Sequence, residues 1–173
     1  MFQMNKFEKV SLKQFYEDCI ASGMDEEFDN DEAFMDFVKK TWQNIKFPKR
    51  ATTGSAGYDF YMPVGAIIDN APIRIPTGIR CKIDPGYVLL IVPRSGLGFK
   101  YGEQLMNTIG VIDSDYYNAK NEGHIMASIC SKTAFSMDAQ ERFMQGIFVK
   151  LGYAEEEEVT TTRAGGIGST GNA

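Results

Sequence analysis

The chain has 173 residues, 43% hydrophobic and 24% charged, enough for one soluble domain with its own core, and no apolar run approaches the ~18 residues of a membrane span. A net charge of −5 without any cluster of lysine and arginine argues against sequence-independent nucleic-acid binding. Cys19, Cys81 and Cys130 are too widely spaced for a disulfide framework or a zinc site, and MFQMNKFEKV lacks a secretory pattern, so a reducing, cytoplasmic setting is expected.

The first predicted element is a helix. Ser11 and Gln14 have capping-box spacing, and Leu12, Phe15, Cys19 and Ile20 follow at helical intervals. Gly23 and the acidic stretch DEEFDNDE interrupt it. A second helix starts near Asn30 or Asp31 with an apolar stripe of Phe34, Phe37, Val38, Trp42 and Ile45. That stripe either packs the helix pair on the domain's own body or offers a surface to another protein. Beyond residue 46 the texture changes. Residues 73–83, 86–93, 124–131 and 143–151 are short runs rich in β-branched and aromatic residues, bounded by Pro, Gly, Asn or Asp. Many short strands without helical periods between them imply an all-β sandwich or barrel. The end, GYAEEEEVTTTRAGGIGSTGNA, opens with a solvated acidic run and finishes in Gly, Ser and Thr; a mobile tail is expected.

Five stretches concentrate the chemistry: ATTGSAGYDF (51–60), PRSGLGFKYG (93–102), NTIGVIDSDYY (107–117), ERFMQG (141–146) and RAGGIGSTG (163–171). Each joins glycines, which let backbone amides approach a ligand, to hydroxyl, amide or charged side chains suited to phosphate or water. Arg94, Ser95 and Gly96 follow a strand directly, as phosphate donors or as an ordinary polar turn. Asp113 and Asp115 follow an apolar pair; one could take a proton from water, or both could cap backbone amides. Tyr116 is either a packing residue or a ring against a sugar. The sole histidine, His124, opens a predicted strand, so Ser/His/Asp and Cys/His schemes are excluded. The glycine-rich end has nothing to link, and its arginine and hydroxyls suit it to fold over phosphates and exclude water.

In this order and spacing the five stretches resemble the five motifs of the homotrimeric dUTP pyrophosphatases (dUTPases). The resemblance covers residues 47–173 and leaves 11–45 as an addition after a first strand around 5–10. It implies an all-β jelly-roll core (47–153), an N-terminal strand and helical extension (1–46), and a flexible C-terminal arm (154–173) that closes the active site. Three copies would form a trimer whose sites each take motifs from all three chains. The implied reaction is dUTP plus water giving dUMP and pyrophosphate, with Mg2+ held mainly by the triphosphate and water, not by protein ligands.

By matching position, Asp113 corresponds to the general base that activates water, and Tyr116 to the tyrosine under the deoxyribose. Asn107 corresponds to the asparagine that reads uracil, with main-chain groups of its hairpin at Gly110 and Ile112. Arg94, Ser95 and Gly96 correspond to the phosphate-binding turn, Gln145 to the glutamine near the α-phosphate, and Asp59 to a carboxylate supporting the catalytic region. From the arm, Arg163, Ser169 and Thr170 correspond to the clasp on the β- and γ-phosphates, beside Gly168. Ile167 stands where the family has an aromatic on the base. The chain also departs from the pattern at Gln140, where the family has glycine, at Met144, where it has alanine, and in a longer loop, YNAKNEGH. Two other readings are a dCTP deaminase of the same fold and a dUTP-sensing interaction protein that docks through 11–45. No nucleic-acid or membrane partner is expected, and the setting would be the cytoplasm of a bacterial or virus-infected cell.

Overall fold

Short apolar runs punctuated by proline, glycine and asparagine cannot build long helices; they pair as antiparallel strands whose alternate residues turn inward. The computed structural model describes residues 5–155. Its principal sheet has the order β2 (Lys49–Arg50), β3 (Tyr58–Tyr61), β12 (Arg142–Lys150), β7 (Tyr87–Pro93), β9 (Gly110–Ile112). A second sheet has the order β5 (Ile73–Pro76), β10 (Met126–Cys130), β8 (Gln104–Leu105). Two ribbons complete the architecture: β1 (Lys6–Lys9) with β6 (Ile79–Lys82), and β4 (Ala66–Ile68) with β11 (Phe135–Met137). All these pairings are antiparallel, in the strand-dominated jelly-roll architecture expected from the sequence.

The predicted strand over 73–83 is two strands. The chain leaves the second sheet at Pro76 and joins β1 from Ile79, turning at Gly78 with φ 71°. Local apolar texture continues through the break, so only sheet pairing reveals it. The residues after Pro93 do not form a turn either; Ser95–Tyr101 is a short helix, α3. His124 lies in a loop before β10 and does not open that strand.

Both N-terminal helices form. α1 (Leu12–Ala21) is capped by Ser11, whose Oγ accepts from the Gln14 amide at 3.1 Å. The Gln14 side chain does not return to the cap but donates to Asp18 (2.9 Å), so the capping box is half made. Met24–Glu27 forms a 3-10 turn, and α2 (Asp31–Asn44) is capped by Asn30 through the Ala33 amide. Phe15, Cys19, Phe34, Val38 and Ile45 belong to the same buried cluster as Phe60, Leu89 and Ile129. The apolar stripe of α2 therefore packs on the body of the fold. Trp42, half-buried, donates its indole N–H to Val10 O (2.9 Å), and Lys9 lies over its ring.

Candidate active site

β12 is the central strand that organises the site. Gln145 stands opposite Asp59 of β3 on one side and Val92 of β7 on the other. On a regular strand residues 142 and 145 would face opposite ways, being an odd number apart. A bulge between Arg142 and Met144 shifts the register, so that Arg142 and Gln145 both address the side of Asp59. Phe143, within the shift, and Met144, where regular pairing resumes, are fully buried and anchor it.

Asp59 is the electrostatic hub. It is 7% exposed and takes one arginine on each carboxylate oxygen: Arg94 Nε on Oδ1 at 3.1 Å and Arg142 Nη1 on Oδ2 at 3.1 Å. Arg94 also donates to Arg142 O at 3.2 Å. A shielded carboxylate between two guanidiniums locks their planes, while Arg142 keeps 45% of its side-chain surface for a ligand. The Gln145 amide nitrogen lies 3.4 Å from Pro93 O, and its oxygen fills the space beside Gly57, where a Cβ would meet it at 2.2 Å. A side chain at Gly57 would displace the Gln145 amide from this position.

Asp59, Arg94 and Arg142 open onto a cavity of about 750 Å3. Its lining carries five cationic side chains (Lys46, Lys49, Arg50, Arg94, Arg142) against the carboxylates of Asp59 and Glu141, in a chain whose net charge is negative. Arg50 holds the loop that follows it through Thr53 O and Ser55 O, and the stacked rings of Tyr101 and Phe135 line another wall. The local charge suits a polyanion. Sequence reasoning put Arg142 within the fourth stretch but assigned it no role, and did not place Lys46, Lys49 or Arg50 in this cleft. Lys46 and Arg142 are nearly a hundred residues apart, and no local pattern joins them.

The other half of the expected site lies elsewhere on the chain. Ile112 of β9 stands opposite Leu89, five residues before Arg94 on β7, which is roughly 16 Å along a strand. Asp113, exposed, precedes the 3-10 turn Ser114–Asn118, and its carboxylate does not cap that turn. Tyr116 is 3% exposed, with its hydroxyl donating to His124 O at 2.8 Å and accepting from Asn121 Nδ2 at 2.8 Å. Asn107 is exposed in the tight turn leading to Gly110, beside Thr108 at φ 64°. The structure thus brings together Asp59, Arg94 and Gln145, with Ser95 and Gly96 at the start of α3. Along β9, Gly110 stands opposite Ile91 and Ile112 opposite Leu89 of β7, with Asn107 in the turn before Gly110 and Asp113 and Tyr116 in the segment after Ile112. Arg163, Ile167, Gly168, Ser169 and Thr170 lie outside the described residues.

Burial pushes the thiols of Cys19 and Cys81 up to about 12, so neither supplies a thiolate near neutrality. Among the described residues no three His, Cys, Asp or Glu side chains gather to hold a metal ion, and no helix is long and apolar enough to cross a membrane.

The profile of the dUTPase family matches residues 43–171. A deoxyuridine 5'-triphosphate nucleotidohydrolase of Ralstonia pickettii is 42% identical over 137 residues, covering 73% of this chain and 89% of the relative. Among solved structures, a dUTPase from Streptococcus mutans is similar with a TM-score of 0.56 and 36% identity, over 63% of this chain and 88% of that one. A dUTPase of phage phi11 of S. aureus, described with a structural Mg(II) ion, shares the fold at 18% identity (TM-score 0.57, 69% of this chain and 92% of that one).

Proposed function

The chain belongs to the dUTPase family, and from that premise we propose how its own residues hydrolyse dUTP to dUMP and pyrophosphate. The observation that carries the reading is the cation-lined cleft organised by Asp59 in an otherwise acidic protein. Arg94 and Arg142, held by Asp59, meet phosphate oxygens together with Ser95 and Gly96, and Gln145 faces the α-phosphate. Asp113 takes a proton from the water whose oxygen attacks the α-phosphorus as the bond to the bridging oxygen breaks and pyrophosphate leaves. Tyr116 lies at the deoxyribose, and Asn107 with the backbone of Gly110 and Ile112 reads uracil. Residues 154–173 act as the arm, with Arg163, Gly168, Ser169 and Thr170 over the phosphates and Ile167 over the base.

A cation such as magnesium would enter on the triphosphate, because the cleft offers guanidinium and ammonium groups and no set of three protein ligands gathers among the described residues. When bound, it neutralises phosphate charge that two arginines alone leave uncompensated.

Completion of the site between copies of the chain is part of the same proposal. Arg94 and Asp113 stand at opposite ends of β7, farther apart than a phosphate and an attacking water allow. β9 is an edge strand with Val111 57% exposed, flanked by exposed Ile109 and Met106, an apolar edge suited to cover by a neighbour. A trimer would juxtapose one copy's cleft with another's β9. The relatives' names do not favour dCTP deamination or dUTP sensing without turnover.

The test is pyrophosphate release with magnesium from dUTP, dCTP, dTTP and UTP. Release should be selective for dUTP, and Asp113→Asn should lower kcat by about a thousandfold with little change in KM. Undiminished turnover in that variant would remove Asp113 from the role of base.

A further inference from the structure

We propose that the N-terminal helical segment braces the loop that carries Tyr116, and that Asp18 and His124 are positioning residues for the choice of deoxyribose over ribose. The proposal rests on the reading of Tyr116 at the sugar. A wall that rejects a substrate for one extra oxygen works only if it is held within about 0.5 Å. Tyr116 is held in this way. Its hydroxyl is tied to His124 O and to Asn121, and the loop folds back so closely that a Cβ on Gly123 (φ 70°) would meet Tyr116 O at 2.6 Å.

What fixes His124 comes from outside the jelly roll. The ring is fully buried, and its Nε2 accepts the Gly78 N–H at 2.7 Å. The ring proton therefore sits on Nδ1 and is donated to Asp18 Oδ2 of α1 at 2.5 Å, an oxygen that also receives Gln14 Nε2. A second leg reaches the same helix. Glu122 adopts φ 57°, a left-handed conformation that is strained for a residue with a side chain. It is held there by Ser11, the cap of α1, whose N–H and Oγ donate to its two carboxylate oxygens at 2.8 and 2.6 Å. Burial pushes the Glu122 carboxyl up, but the Ser11 bonds and Arg80 outweigh it and hold the group below its usual range. Tyr117, next to Tyr116, is tied to Glu8 of β1. The loop is therefore pinned by residues that precede the jelly-roll core in sequence, which gives the helical addition a role within the reaction itself.

The experiment compares kcat/KM for dUTP and for UTP in the full chain, with the thermal midpoint measured alongside. Asp18→Ala should lower the dUTP-to-UTP ratio about tenfold, the loss of one well-placed hydrogen bond. Asp18→Asn keeps an acceptor oxygen for Nδ1–H and should stay within about twofold of the parent. Tyr116→Phe, which cuts the bond to His124 O, should produce a similar loss, and combining it with Asp18→Ala should add nothing. Ser11→Ala, on the exposed leg, should move the ratio in the same direction and decides the matter if Asp18→Ala does not fold. A folded Asp18→Ala or Ser11→Ala protein with an unchanged ratio, or additive losses in the double variant, would overturn the brace. Tyr116→Ala separates the two ideas: no change in its ratio would sink the sugar contact itself, whereas a change there without one in Asp18→Ala sinks the brace alone.

Discussion

Glu103 is the residue whose cost is plainest. It follows α3, is 4% exposed, and neither carboxylate oxygen has a hydrogen-bond partner. Burial pushes its carboxyl up to about 7, against the pull of the Arg94 charge. In the unfolded chain the group titrates near 4.5, so between these values the folded protein holds a proton that the unfolded chain has released. Stability contributed by the protonated group is complete below 4.5 and falls as pH rises towards 7. Glu103→Gln keeps the shape and removes the titration. Urea unfolding should find it more stable than the parent by about 3 kcal/mol at pH 8, with the two converging near pH 4.5. Parallel profiles for the two proteins would mean that Glu103 is solvated or paired when it ionises. The contrast with Asp59 is instructive, since both carboxylates are buried and only Asp59 has arginines on its oxygens.

At the scale of elements, the helix pair is part of the core. Phe34 of α2 is 2% exposed and lies 5.3 Å from the Tyr16 ring and 5.2 Å from the Phe28 ring. Phe34→Ala should cost about 3 kcal/mol, and unfolding should remain one transition because α1 and α2 share a buried cluster with β3, β7 and β10. An early separate transition for the helices would contradict that shared core. Both helices are legible in the sequence because their caps and stripes are local signals. Division of 73–83 into β5 and β6 is not, because the two strands differ only in their partners, β10 and β1. α3 escapes sequence reading for a related reason: seven residues with two glycines carry no helical stripe.

At the scale of the whole molecule, β7 separates the two groups of the proposed site, with Arg94 just beyond its Pro93 end and Asp113 following Ile112, which stands opposite Leu89 near its start. If active sites form between copies, two inactive variants can rescue each other. Arg94→Ala and Asp113→Asn proteins, mixed, unfolded and refolded together, should regain activity in about a quarter of sites by chance pairing. Activity no higher than the two separate proteins would place both groups of a site on one chain.

The sequence by itself determined the family, the reaction, the all-β class and both helices, because turn chemistry, strand texture and spaced glycines are written in neighbouring residues. Only the tertiary structure decided that Arg142 and Arg94 share Asp59, that a bulge makes this possible, that Lys46 and Lys49 enter the cleft, and that Asp18 reaches His124. Each of these depends on strand register or on contacts between residues tens of positions apart, and a side-chain period of two leaves register undetermined until the strands have paired.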